Sequence, residues 1–223
     1  MILFFERDTD MPLYIYMTDL LEFVVGDQKL SINIIQFFMM YLSRVSINDG
    51  NQDVYGFLDP YYINPIEAKK SKTKSYITYT MSTEGKQIYL CPYINEGHWQ
   101  LLVLSPVYKT AVWFCSLHKK PSTHLKNIID VSWLGYNILK GRSSSNYQKL
   151  TWLNLKCNRQ SKGYECGYYV MQWMITIVRT GIKTNWEKFF MDESPVPLPA
   201  IECVRHVWAT YFLNFYNSRI ANQ

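Results

Sequence analysis

Two short stretches of this chain hold the residue types of nucleophilic catalysis. Gly97-His98-Trp99-Gln100 sets a histidine where a polar loop with Asn95 and Glu96 enters an apolar run ending at Leu104. Gln160-Ser161-Lys162-Gly163-Tyr164-Glu165-Cys166-Gly167 sets a cysteine where a loop turns into a second apolar run. A thiol at the start of a helix faces unpaired N–H groups and the positive end of the peptide dipoles, and both favour thiolate over thiol. Cysteines so placed, or beside a histidine, have pKa values lowered to about 3.5–7.5 from roughly 8.5. Gly163 and Gly167 let backbone come close on either side of the sulfur. Each stretch has a plainer reading when taken alone: a half-buried histidine at a strand entrance, and a small apolar residue filling a helix start. Together they make a chemical set. A nucleophilic cysteine needs a base to take and return a proton, and His98 is the histidine in a strand-edge context. It also needs donors for the oxyanion of acyl transfer. Gln160 offers a side-chain amide alongside the backbone N–H of Cys166.

The elements that must position these residues follow from periodicity. Apolar residues at Ile34, Ile35, Phe38, Met39 and Leu42 predict a helix over Leu30 to Ser43, with Ser31 as a candidate cap. Asp19 to Val25 reads equally as a short helix or an extended entry. Gln87 to Cys91, Trp99 to Leu104 and Ala111 to Leu117 read as strands, the last two joined by a turn at Ser105-Pro106. Leu125 to Ile138 reads as a helix, and Lys149 to Lys156 alternates like a fourth strand. Tyr169, Val170, Trp173, Met174 and Ile177 predict a buried helix over Cys166 to Val178, closed near Gly181. Ile201, Val204, Trp208 and Phe212 mark one face of a last helix from about Pro199 to Tyr216. Loops are expected at Glu67 to Ser75, where four lysines crowd, at Gly141 to Ser145, and at Ser194 to Pro199. The lysine segment reads as a solvated loop or as a patch for an acidic partner. Helices at both ends around a hairpin-rich middle give an α+β fold class.

Composition narrows the functional classes. The chain has 223 residues, 48% hydrophobic and only 18% charged, with 10 glycines and 9 prolines. That excludes a disordered or collagen-like chain and suits a single domain over residues 1–223. A net charge of +5 is too small and too dispersed to mark a dedicated nucleic-acid surface. No secretory signal or membrane span is expected, because charges arrive by Glu6 and the run Tyr168 to Val178 is short and broken by Gln172. Five scattered cysteines argue for a reducing compartment rather than a disulfide scaffold. Cys203 and His206 lack a second ligand pair, and no phosphate-binding glycine loop is present, so neither metal nor cofactor is expected.

The assembled motifs resemble the ubiquitin-like-protein-specific proteases, or SUMO proteases, of the adenain-like clan of cysteine peptidases. The resemblance rests on His98-Trp99 leading into a strand, on Trp113-Phe114-Cys115-Ser116-Leu117, and on Gln160 followed after five residues by Cys166-Gly167-Tyr168-Tyr169-Val170. Divergent, transposon-associated plant members share the last two segments. Leu30 to Leu42 resembles the family's early helix, and Pro92 the residue introducing the histidine strand. The order His, Gln, Cys is the reverse of the papain order. The resemblance implies a central mixed sheet flanked by helices, with the nucleophile at the N-terminus of a buried helix. It implies Cys166 as nucleophile, His98 as general base and acid, Gln160 as oxyanion donor, and Trp99 over the tunnel that threads a Gly-Gly tail. It also implies a ubiquitin-like protein or its conjugates as partner, a monomer, and nuclear or otherwise cytoplasmic residence.

One position departs from the pattern. The family places an aspartate on the following strand to orient the histidine, and here that place holds Cys115, 17 residues after His98. Removing the acid from a serine triad costs roughly 10⁴ in kcat. A cysteine depends on it less, because its thiolate pairs directly with the imidazolium. The expectation is a weakened Cys–His dyad, with a relative that binds without turnover, or a transposon product lacking a cellular substrate, as the alternatives. Cys115 is either an inert buried thiol or a redox partner for Cys166.

Overall fold

The computed structural model describes residues 2–5, 13–64, 70–142 and 148–221. A two-stranded antiparallel sheet, β1 (Ile2–Phe5) with β2 (Leu13–Tyr16), precedes the helices α1 (Met17–Val25) and α2 (Ile32–Asn48). A five-stranded sheet follows, in the order β3 (Tyr55–Phe57), β4 (Ile88–Asn95), β5 (His98–Ser105), β6 (Thr110–Phe114), β7 (Thr151–Asn154). Its outer pairs are parallel and its inner pairs antiparallel, so the sheet is mixed. The short α3 (Pro60–Ile63), α4 (Lys70–Glu84) and α5 (Thr123–Leu139) lie along the chain between the strands. After β7 come α6 (Cys166–Thr180), α7 (Trp186–Phe190) and α8 (Leu198–Ile220).

The strands alternate, and both faces of the sheet are covered. Ile88, Leu90, Leu101, Val103, Val112 and Phe114 join the core built with α2, α6 and α8. Tyr89, Cys91, Leu102, Leu104, Ala111 and Trp113 join the core built with α4 and α5. A period of two with apolar residues on both sides is why these strands read as nearly continuous hydrophobic runs. The β4–β5 connection is two residues long, with Asn95 opposite His98 and both Glu96 and Gly97 at positive φ, 52° and 69°. That is the backbone of a tight hairpin whose twist matches its strands, and it fixes His98 as the first residue of β5.

The expected helices and strands are present, with instructive shifts. The undecided Asp19 to Val25 is helical, closed by Gly26 at φ 77°. Ser31 has the backbone of an N-cap, but its buried hydroxyl makes no cap bond. The third strand stops at Phe114 rather than Leu117, because the chain turns there: His118 N–H bonds the Cys115 carbonyl at 2.8 Å and His118 takes φ 54°. Pro92 does not introduce the histidine strand; it lies inside β4, opposite Leu101. The parallel ladder with β3 ends there, its last bond running from Leu58 N–H to the Leu90 carbonyl, because Pro92 has no N–H to continue it. The lysine segment is also corrected. From Lys70 onward it is the first turns of α4, held by Ile77 and Met81, which are buried against α5. The part at residues 65–69, like residues 143–147 of the expected second loop, lies outside the described residues. No helix among the described residues is long and apolar enough to cross a membrane.

Candidate active site

The hairpin and α6 bring the two motifs together. Trp99 N–H, one residue past His98, donates to Cys166 Sγ at 3.4 Å across 67 residues of sequence. Its indole is fully buried and donates through Nε1 to the Leu30 carbonyl at 2.7 Å. Trp99 thus ties β5 to the entrance of α2, and as packed it is a wall residue with no exposed face. Gly167 is required at the same junction. A Cβ there would lie 2.9 Å from Leu30 Cδ1 and 3.0 Å from Leu30 Cβ and Cγ, so only a glycine lets α6 start this close.

Cys166 is the first residue of α6 and is fully buried. The N–H groups of Trp99, Gly167 and Cys166 itself, with the Lys29 cation, pull its pKa down, as a helix N-terminus should. Burial outweighs them, and the thiol is pushed above its ordinary value. The helix start acts in the expected direction, and desolvation of the anion is the larger effect. His98 is half-buried, and burial, with the Lys119 and Lys29 cations, holds its pKa down to about 4. At neutral pH the resting pair is a thiol beside a neutral imidazole. Among the described residues no hydrogen bond joins Cys166 Sγ to the ring. His98 Nε2 instead meets Cys115 Sγ at 3.4 Å, which leaves Nδ1 as the nitrogen for proton exchange. Catalytic contacts in enzymes without substrate are commonly this loose.

Gln160 is docked at two points on Ser116. Its N–H bonds the Ser116 carbonyl at 3.1 Å, and its Oε1 accepts from Ser116 Oγ at 2.5 Å. That fixes which end of the amide is the donor. Gln160 Nε2 gives one hydrogen to the Lys162 carbonyl at 2.7 Å, and an amide nitrogen carries two. The loop is folded back by Glu165, whose carboxylate accepts from the N–H groups of Ser161 and Lys162 at 3.2 and 3.0 Å. Sequence reasoning passed over Ser116, Gln100, Lys29 and Lys119. Ser116 stood inside a recognised motif, and Gln100 lies at i+2 from His98, the spacing of one strand face. The lysines gave no signal, because their proximity to the site is set by tertiary structure. Among the described residues no group of three or more His, Cys, Asp or Glu side chains is placed to hold a metal ion.

No family model and no curated protein matches the sequence. Solved structures do match the fold. A de-sumoylating protease superposes with TM-score 0.69 at 14% identity, over 99% of this chain and 95% of that one. The C-terminal protease domain of Ulp1, in complex with the yeast SUMO ortholog SMT3, gives 0.61 at 18%, over 93% and 86%. The Xanthomonas campestris effector XopD, bound to ubiquitin, gives 0.60 at 15%, over 92% and 96%. A histidine on a hairpin strand, a glutamine loop and a thiol at the start of a buried helix are thus carried by a chain with the fold of the Ulp1-like SUMO proteases.

Proposed function

We propose that the chain is a cysteine peptidase that cleaves peptide or isopeptide bonds after the Gly-Gly tail of a ubiquitin-like protein. The observation that carries this reading is the Trp99 N–H on Cys166 Sγ, which seats the histidine strand against the helix-start thiol. His98 takes the thiol proton at Nδ1, the thiolate attacks the carbonyl that ends the tail, and the imidazolium returns the proton to the leaving amine. The oxyanion is met by the backbone N–H of Cys166 and the second hydrogen of Gln160 Nε2, aimed by Ser116. Trp99 braces the pair from inside the fold, its N–H on Cys166 Sγ and its indole on the Leu30 carbonyl. That fold neighbours have been seen with SMT3 and with ubiquitin supports a ubiquitin-like partner.

The test is a ubiquitin-like protein whose C-terminus carries an electrophile. It is expected to form a covalent adduct that vanishes in Cys166→Ala; an undiminished adduct in that variant overturns the assignment. The cysteine at position 115 favours a second reading, a relative that binds such proteins without turning them over. Adduct formation without hydrolysis of a conjugate or fluorogenic substrate would select it.

A further inference from the structure

The contact on the far side of His98 has a structure of its own. Cys115 Sγ meets His98 Nε2 at 3.4 Å and receives a second hydrogen bond from Gln100 Nε2 at 3.7 Å. Both residues are buried, Cys115 to 1% exposure and Gln100 to 7%. Gln100 follows His98 by two residues, so both leave β5 on one face. The β5–β6 register pairs Leu101 with Phe114, and its next step sets Gln100 opposite Cys115. The three side chains thus form a row, amide to sulfur to imidazole, on the side of the ring away from the nitrogen that exchanges protons.

We infer that Cys115 and Gln100 are positioning residues for His98, with the Cys115 sulfur taking the hydrogen bond that a carboxylate would otherwise take. This deepens the proposed dyad and rests on it. When His98 accepts the Cys166 proton at Nδ1, the ring becomes an imidazolium with an N–H at both nitrogens. A buried N–H without an acceptor opposes that charge state. Cys115 Sγ stands at Nε2 to accept, and the Gln100 amide holds the sulfur in place. The thiol carries no fixed charge, so it orients the ring with less stabilisation of the imidazolium than an acid gives.

The experiment needs no substrate. The pH dependence of Cys166 alkylation by chloroacetamide, followed by mass spectrometry on the full chain, reports how readily Cys166 gives its proton to His98. Cys115→Ala is expected to lower the alkylation rate at neutral pH about tenfold and to move the midpoint upward, the worth of one hydrogen bond to a charged group. Cys115→Ser keeps an acceptor and is expected to stay near the parent. Cys115→Asp adds charge and is expected to move the midpoint downward. Gln100→Leu is expected to follow Cys115→Ala by a smaller amount. Midpoints that do not move in Cys115→Ala and Gln100→Leu overturn the inference. So does a Cys115→Ser profile displaced as far as that of Cys115→Ala, which marks a packing effect. His98→Gln separates the two levels: if it also leaves the profile unchanged, the Cys166–His98 dyad itself fails.

Discussion

At the scale of single residues, the site is governed by desolvation as much as by its neighbours. His98 is the clearest case, because its pKa is held at about 4, against 6.5 for an ordinary histidine, first by burial and then by Lys119 and Lys29. The sign of the consequence is fixed by linkage. Between pH 6.5 and 4 the unfolded chain binds a proton at His98 that the folded chain refuses, so stability falls as pH falls through that window and levels off below it. His98→Gln removes the contribution. Urea unfolding midpoints are therefore expected to drop less between pH 6.5 and 4 in His98→Gln than in the parent, and equal drops would contradict the burial argument. Cys166 shows the limit of reading a thiol's protonation from its motif. The sequence announces a helix start and its favourable N–H groups, but the burial that overrides them is assembled from α2, β5 and α6. The same holds for Cys115. Its place in the motif was legible, whereas its two sulfur contacts depend on the register of β5 against β6.

At the scale of elements, three pieces interlock at one point: the start of α6, the Leu30 entrance to α2, and Trp99 at the head of β5. Gly167→Ala tests that joint. The new methyl would sit 2.9–3.0 Å from three atoms of Leu30, including its Cβ, which cannot swing away without moving the backbone. Overpacking of this kind costs about 1–3 kcal/mol. Urea unfolding is expected to show that loss in Gly167→Ala and a smaller loss for the same change in a Leu30→Ala background. Equal losses would place the strain elsewhere. The elements around this joint were readable because each has a strong period. Ile34, Ile35, Phe38, Met39 and Leu42 fixed α2, and the apolar stripe of α6 was correct at every named position. The sequence reading holds no helix where α4 stands, because Lys70, Lys72 and Lys74 at its entrance look the same as a solvated loop; only Ile77 and Met81, further on, disclose the buried face. The strand ending at Phe114 was drawn too long for a related reason. A turn that needs His118 in a left-handed conformation has no glycine to announce it.

At the scale of the whole molecule, the sheet is the common wall of two cores, and the candidate site draws Cys166 from one and Cys115 from the other. Adjacent residues of one strand serve opposite cores: Leu101 and Val103 pack toward α2 and α6, Leu102 and Leu104 toward α4 and α5. Removing either layer of helices would expose every second side chain of β4, β5 and β6, so neither core has a stable half to retreat to. The layers are also pinned at a distance from the site. Trp208 of α8 donates to the Ile34 carbonyl at 3.0 Å, stacks on Phe212 and packs on Phe23 and Phe37, while Trp133 of α5 anchors the other layer through the Gln148 carbonyl at 2.8 Å. Truncating a buried tryptophan costs about 3–5 kcal/mol. Trp208→Ala and Trp133→Ala lie in different cores, and each is expected to lower the same single unfolding transition rather than split it. Far-UV circular dichroism and tyrosine–tryptophan fluorescence, followed through one urea titration, should give coincident curves in both variants. If Trp133→Ala instead released α4 and α5 in a separate early transition, the shared-wall account would fail. The geometry that holds His98 at the start of β5 would then rest on the α2, α6 and α8 layer alone.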